Sequence, residues 1–400
     1  MSLTVSKNQI WSLFVLVSCL NIESVTHFFP ASVKLLFGLR LVLLFFLVVL
    51  DLMNRRRPSG IMLLITLMCA FVIGTAFITK DNMMYVVRTL STPFLIAYFI
   101  DGLRADSKKL LETVVLWRNI LLLLLIADLG SMIVFRNGIY KTNAYSLNWF
   151  LGYKTARLMF ILPLCIFEEI RFRYYKKDAA SYFVYAFSLV SLFIAKSSGA
   201  LVALALGIVL LLLSRDNRIV RGKQKFIAVM LSFKFFVPFY AVVTFVVIIA
   251  NNNPFFVRLL QSFGKDPTLT TRTMIWAKVL KMVRLKPITG YGLWTPEKYR
   301  EEFNSIFFSN PHNMVLSLLM IGGILLLVLY AVIAAVSWNN VRKNVNAFVC
   351  AVGIMIILFV GTTSSVMLFS LPGFLFFTLS NCSLFNSGEN RGAALKRNGD

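Results

Sequence analysis

Only two of the 400 residues are histidines, and one of them, His312, lies in Asn310-Pro311-His312-Asn313, where a long polar stretch gives way to an apolar run. An unperturbed imidazole titrates near about 6.5, so a histidine at that boundary is equipped to take a proton from a hydroxyl or to donate a hydrogen bond to a phosphate. On position alone it is equally an ordinary helix-cap or interfacial residue. The second chemical feature is cationic. Arg40, Arg88 and Arg157 each fall a few residues inside an apolar segment, and Lys196 falls in a tight turn between two such segments. A cation at the centre of a membrane helix costs about 2.5 to 3.5 kcal/mol on insertion scales, so each needs a partner, a wet cavity or a route to the interface. Each alone has the option of snorkelling to that interface. Together, several cations at one membrane face form a site for an anionic headgroup, and a lipid diphosphate suits both sides of the boundary. Arg118 and Lys234 fit this pattern less well and are read as snorkelling, with Asp128 as a counter-ion. Glu297, Glu301 and Glu302 form the one cluster of loop carboxylates near His312; they read as a solvated helix face, with orienting or replacing the histidine as the alternative.

The elements that must hold these groups are membrane helices. Hydrophobic residues make up 58% of the chain and charged residues 14%, against about 25% charged in ordinary soluble domains. Apolar stretches such as 61–78 and 314–337 have the length a helix needs to cross a core of about 30 Å. The expected fold is an all-α integral membrane protein of about twelve transmembrane helices, forming one domain over residues 1–400. The first apolar stretch, 10–29, carries Asn21, Glu23 and His27 and no small-residue cleavage site, so it reads as a retained helix rather than a removed signal peptide. The net charge of +24 gathers in loops, at Arg55 to Arg57, at Arg104 with Lys108 and Lys109, at Arg171 to Lys177 and after Arg215. That distribution reports orientation, with these loops and both termini cytoplasmic, and argues against a nucleic-acid partner. The five cysteines show no paired or metal-ligand spacing and read as core residues. Opposite the basic loops, 251–311 forms one large extracytoplasmic loop. Within it, Thr270 or Thr271 caps an expected helix running to Lys286, and Pro287 and Gly290 stop it. Thr295 and Pro296 open a second, with Tyr299, Phe303 and Phe307 as its apolar stripe; both read as amphipathic helices on the outer membrane surface.

The loop also holds an ordered set of residues. Thr271-Arg272-Thr273-Met274-Ile275-Trp276 comes first, then Lys286-Pro287-Ile288-Thr289-Gly290-Tyr291-Gly292-Leu293, then His312-Asn313 ahead of Leu316 and Gly322-Gly323. This set resembles the O-antigen ligase and polymerase superfamily, which has an arginine before an aliphatic-Trp pair, then Pro and Gly-x-Gly, then His-Asn-x-x-Leu before a Gly-rich helix. The resemblance runs from about Lys196 to Gly323. It takes in Lys196-Ser197-Ser198-Gly199-Ala200, where the family commonly has Ser-Arg-Gly; Ser198 stands in the arginine slot and Lys196 is the substitute. It implies a GT-C-like membrane fold and metal-independent, inverting glycosyl transfer outside the cytoplasmic membrane of a bacterium, on glycans carried by undecaprenyl diphosphate. Arg272 would neutralise charge on the departing diphosphate, and His312 would position or deprotonate the acceptor hydroxyl. Lys196, Arg88, Arg157, Asn313 and Tyr291 are the expected substrate-binding residues. The loop contains no Asp-x-Asp signature, so neither a divalent metal nor any other cofactor is expected.

Within that family, polymerisation of lipid-linked repeat units into O-antigen or a related surface polysaccharide is the preferred reading, on the likeness of Gly290-Tyr291-Gly292-Leu293-Trp294 to polysaccharide polymerases. Transfer of the finished glycan to lipid A-core is the alternative. Membrane lipids and a chain-length regulator protein are the further partners it brings to mind. A flippase for the same lipid is the rival from another class, but transporters set substrate near the midplane between repeated bundles. Here the polar residues concentrate in one loop and no internal repeat is evident.

Overall fold

Apolar runs separated by short polar turns fold into an up-and-down series of helices. The computed structural model describes residues 6–141, 147–215, 238–242, 244, 269–305, 308–343, 345–364 and 368–385. In chain order the helices are α1 (Lys7–Cys19), α2 (Glu23–Phe28), α3 (Ala31–Met53), α4 (Gly60–Ile78), α5 (Met83–Leu103), α6 (Ser107–Val134), α7 (Leu158–Tyr174), α8 (Ala180–Ile194) and α9 (Ser198–Leu213). After the break in the described residues come α10 (Leu269–Leu285), α11 (Pro296–Glu302), α12 (Met314–Lys343), α13 (Phe348–Gly361) and α14 (Leu375–Leu379). No strand occurs among the described residues; two isolated bridges, Tyr140 with Asn148 and Trp149 with Gly152, shape the α6–α7 connection. Side-chain caps fix the starts: Ser59, Asn82 and Asp106 accept backbone N–H groups at the openings of α4, α5 and α6.

Helices α3, α4, α5, α6 and the segment Met314–Val341 of α12 are long and apolar enough to cross a membrane. The apolar helices α8, α9 and α13 are shorter; fifteen residues rise about 22 Å, less than the full hydrocarbon core. Helix α3 lies at the rim, with Leu35, Phe45 and Leu52 exposed on its outer face, the face suited to lipid. The first apolar stretch is not one helix: it divides between α1 and α2, and Glu23 opens the short second piece. All five cysteines are buried and unpaired. Both termini lie outside the described residues.

The basic loops gather at one end of the bundle, where carboxylates meet them. Asp101 takes Arg56 at 3.1 Å and Arg104 at 2.7 Å, and Arg104 holds the α3–α4 turn through the Arg57 carbonyl. Glu168 and Glu169, adjacent on α7 and fully buried, bind Arg118 and Arg171, and Arg173 and Arg215, respectively. Arg118 therefore does not snorkel; its charge is met inside the protein. Removing one partner of such a pair strands the other, a loss of about 3–5 kcal/mol.

Helix α12 is broken at Gly322 and Gly323, and the break explains the glycines of the loop. Gly323 has φ 62° and ψ −158°, a combination open essentially to glycine alone. The carbonyls freed by the break, Met320 and Ile321, accept the N–H groups of Tyr291 at 2.6 Å and Gly292 at 2.9 Å. The Ile324 N–H donates to the Pro287 carbonyl at 2.8 Å. Irregular backbone inside a membrane protein survives where its polar groups are satisfied this way. Contact is at backbone distance: a Cβ on Gly290 would stand 2.6 Å from the Met320 oxygen, and one on Gly323 2.2 Å from the Ile288 oxygen. Gly323→Ala is expected to cost about 3 kcal/mol or more, seen in detergent as lost thermal transition and aggregation on size exclusion. Gly74→Ala, whose methyl meets open space, should change stability by less than about 1 kcal/mol; equal behaviour of the two variants would refute the interlock.

Candidate functional site

Helix α10 begins close to its expected start and buries Ile275, Trp276 and Val279 against Trp294, Tyr299, Phe303 and Phe308, together with Leu316 and Met320 of α12. Its apolar face, and that of α11, are thus spent on each other and on α12 rather than laid on lipid. An amphipathic pattern says that a face is covered without saying by what. Thr295 caps α11 by accepting the Lys298 N–H, with Pro296 in the first turn. Lys298 ties α11 to the α4–α5 turn through Asp81 at 2.6 Å. Residues 251–268 and Phe307 lie outside the described residues.

Trp276 donates its indole N–H to the Pro311 carbonyl at 2.9 Å. Arg272, one turn earlier on the same face of α10, is thereby brought to His312, and its charge acts on the imidazole. His312 adopts φ 51°, held there as its N–H donates to Asn310 Oδ1 at 2.8 Å. The left-handed region is uncommon for a residue other than glycine, and histidine is among those enriched in it. Burial, and secondly the charge of Arg272, push His312 down to about 4. Burial also holds Arg272 below the usual guanidinium range, opposed by Tyr153 of the α6–α7 connection. At neutral pH the pair is therefore one cation beside one neutral imidazole.

Asn313, expected to bind substrate, is fully buried with both ends of its amide in use. Its Oδ1 caps α12 by accepting the Leu316 N–H at 3.0 Å, and its Nδ2 donates to the Thr362 carbonyl at 2.9 Å. That second bond reaches the end of α13, where a Cβ on Gly199 would lie 3.9 Å from Thr363 Oγ1. The start of α9 and the start of α12 thus meet at the end of α13, which places the Lys196 turn at the same end of the bundle as His312. Lys196 is exposed, with φ 54°. Arg88 is half-buried over the Tyr85 ring at 5.7 Å. Its charge and that of Glu297 both reach Tyr85, so α11 covers the start of α5. Arg40 is buried, donates to the Leu36 carbonyl and Thr92 Oγ1, and feels the charge of Arg88.

Two expected ligands have internal duties. Arg157 is fully buried; its Nε lies 2.8 Å from Asp128 Oδ2, and its guanidinium is 4.9 Å from the Trp149 ring centre. Asp128 thus neutralises Arg157, and its Oδ1 also accepts the Leu151 N–H. Tyr291 donates its hydroxyl to the Met282 carbonyl at 3.0 Å, binding the loop to the end of α10. Glu301 and Glu302 are exposed, and Glu297 contacts Arg300; none is seen orienting His312.

The cations differ in whether a carboxylate meets them. Arg56, Arg104, Arg118, Arg171, Arg173 and Arg215 all have carboxylate partners. Arg40, Arg88, Lys196 and Arg272 have none within 4.0 Å among the described residues. Cations left without internal counter-charge leave the site suited to an external anion. Among the described residues no three His, Cys, Asp or Glu side chains come together as a metal-binding group. Sequence reasoning passed over Glu23 and Tyr153, which border the site from α2 and the α6–α7 connection; the one signal for Glu23 was a carboxylate inside an apolar stretch.

No curated protein matches the chain. Residues 183–331, which run from α8 through Arg272 and His312 and past the broken turn of α12, match the family described as O-Antigen ligase, so this part of the chain is similar to the O-antigen ligase and polymerase superfamily.

Proposed function

We propose that the chain is a membrane glycosyltransferase that polymerises undecaprenyl-diphosphate-linked oligosaccharide repeat units into O-antigen or a related surface polysaccharide. The observation that carries this reading is the placement of Arg272 near enough to His312 for its charge to act on the imidazole, with the Trp276–Pro311 bond joining their segments and no carboxylate on Arg272, Arg88 or Lys196 among the described residues. In the reaction an acceptor hydroxyl attacks the anomeric carbon, a new C–O bond forms, and the bond from that carbon to the phosphate oxygen breaks with inversion. The electron pair leaves on the diphosphate, where Arg272 meets it; a fixed donor in a dry site needs no reorganisation as charge develops. The hydroxyl proton passes to His312 and then to water. With its pKa pushed down to about 4 by burial and by Arg272 the imidazole is a weak base, and an anionic diphosphate beside it raises that basicity. Arg88 and Lys196 are the cations still available to bind the diphosphate. Arg157, Asn313 and Tyr291 act instead by holding the framework.

In this reading the protein crosses the bacterial cytoplasmic membrane about twelve times, with both termini cytoplasmic and the site on the external face. Membrane lipids surround it, and a chain-length regulator is a proposed partner. The family description favours a second reading, ligation of the finished glycan to lipid A-core. One gel of cell-surface glycolipid separates them, from a deletion strain complemented with wild type, Arg272→Ala or His312→Ala at matched expression. Core bearing a single repeat in both mutants supports the polymerase. Bare core with accumulated lipid-linked polymer supports the ligase, and an unchanged ladder rejects both.

A further inference from the structure

Glu23 is a carboxylate that neither the ion-pair network nor the Arg272–His312 pair employs. At the same end of the bundle Asp128 is spent on Arg157 and Asp81 on Lys298, whereas Glu23 has no ion pair among the described residues. Its placement is built. Glu23 Oε2 accepts the Tyr153 N–H at 2.7 Å, and Ser24 Oγ donates to the Phe150 carbonyl at 2.6 Å, seating α2 on the α6–α7 connection. The seat requires that residue 152 have no side chain: a Cβ on Gly152 would stand 2.1 Å from Glu23 Oε2.

The surroundings of Glu23 are aromatic and polar together. The exposed His27 ring stacks on Tyr140 at 4.1 Å with 13° between planes, and Phe28 meets the same tyrosine edge-on at 5.8 Å. Beneath them Nη1 of Arg157 is buried without a hydrogen-bond partner. The charges of Arg157 and Glu23 act on each other and on Tyr140. Tyr153, whose N–H holds Glu23, acts on Arg272, so this cluster adjoins the reacting pair.

Chemistry narrows the occupant. A carboxylate repels phosphate, so the lipid headgroup does not belong here, and an apolar guest would leave Glu23 desolvated and unpaired. The ligand must donate O–H groups to a carboxylate and offer a C–H face to stacked rings, as a sugar does. We propose that α2 and the α6–α7 connection form a glycan subsite, with Glu23 accepting hydrogen bonds from sugar hydroxyls and the His27–Tyr140 stack carrying a ring face. The glycan concerned is the one the glycosyl-transfer reading supplies.

The test uses the full chain in nanodiscs and, as probe, the lipid-linked glycan recovered from the deletion strain. Glu23→Gln keeps side-chain shape while removing the acceptor charge, and His27→Ala removes the exposed ring of the stack. Each should raise KM about five-fold or more while kcat stays within about two-fold, the pattern of lost binding common to ground and transition states. A second readout is saturation-transfer NMR with the glycan freed from its lipid by mild acid. Signal on sugar protons should appear with wild type and with Arg272→Ala and fade in both subsite variants. Unchanged KM with unchanged NMR signal overturns the subsite. A fall in kcat at constant KM also overturns it, by making Glu23 part of the reacting chemistry. NMR signal from a wild type that does not turn the lipid over upholds the subsite and rejects the transfer reading instead.

Discussion

Arg272→Ala is expected to lower glycan transfer by about 10²- to 10³-fold, the loss typical of one preorganised donor aimed at developing charge. The reason lies in the setting of the guanidinium. It is half-buried, its charge acts on His312, and no carboxylate pairs with it among the described residues, so its charge is available when the diphosphate departs. Arg272→Lys should recover only part of the loss, because an ammonium is a point charge without the planar fork that matches phosphate oxygens. The measurement is turnover of recovered lipid-linked glycan at matched protein concentration, with kcat and KM separated. A rise in KM alone, or full activity in the alanine variant, would remove Arg272 from the chemistry.

His312→Ala should lower kcat by about 10²- to 10⁴-fold if the imidazole takes the hydroxyl proton, and the pH profile distinguishes that role from simple hydrogen bonding. The working form is the neutral ring. In the free protein burial and Arg272 push the group down to about 4, so kcat/KM, which reports the free enzyme, should be flat between about pH 5 and 8. In the bound complex the diphosphate favours the protonated ring, so kcat should fall at the acid end of the same range. Activity is lost as pH falls in both cases, and earlier for kcat. In Arg272→Gln one of the two depressing influences is gone, so the His312 pKa should rise toward its ordinary value. An inflection in wild-type kcat/KM near 6.5 would show that His312 is not depressed.

The membrane class, the α10 helix and the Thr295–Pro296 start of α11 were legible because each rests on local pattern. What escaped was settled by tertiary partners. Asp128 was legible as a counter-ion, but its partner was not: Arg157 lies 29 residues away, at the start of the next helix. Asn313 and Tyr291 stand within the family-like set yet serve the backbone, since a motif residue and a ligand are indistinguishable until hydrogen bonds are assigned. The broken α12 was hidden for a similar reason. Residues 314–337 read as one continuous apolar helix, and only the returning Pro287–Gly292 segment reveals a break.

The interlock of that segment with α12 also bears on which mutations can be repaired genetically. At Gly353 an added methyl would meet the Phe376 ring, and at Gly207 it would meet Ile356. Trimming either neighbour makes room, so second-site suppressors are available for both. At Gly290 and Gly323 the nearest obstacles are main-chain atoms of Met320, Gly322 and Ile288, which every residue carries. No substitution at the facing positions can relieve that contact, and a screen for revertants of Gly323→Ala should return the original glycine and no compensating change across the contact.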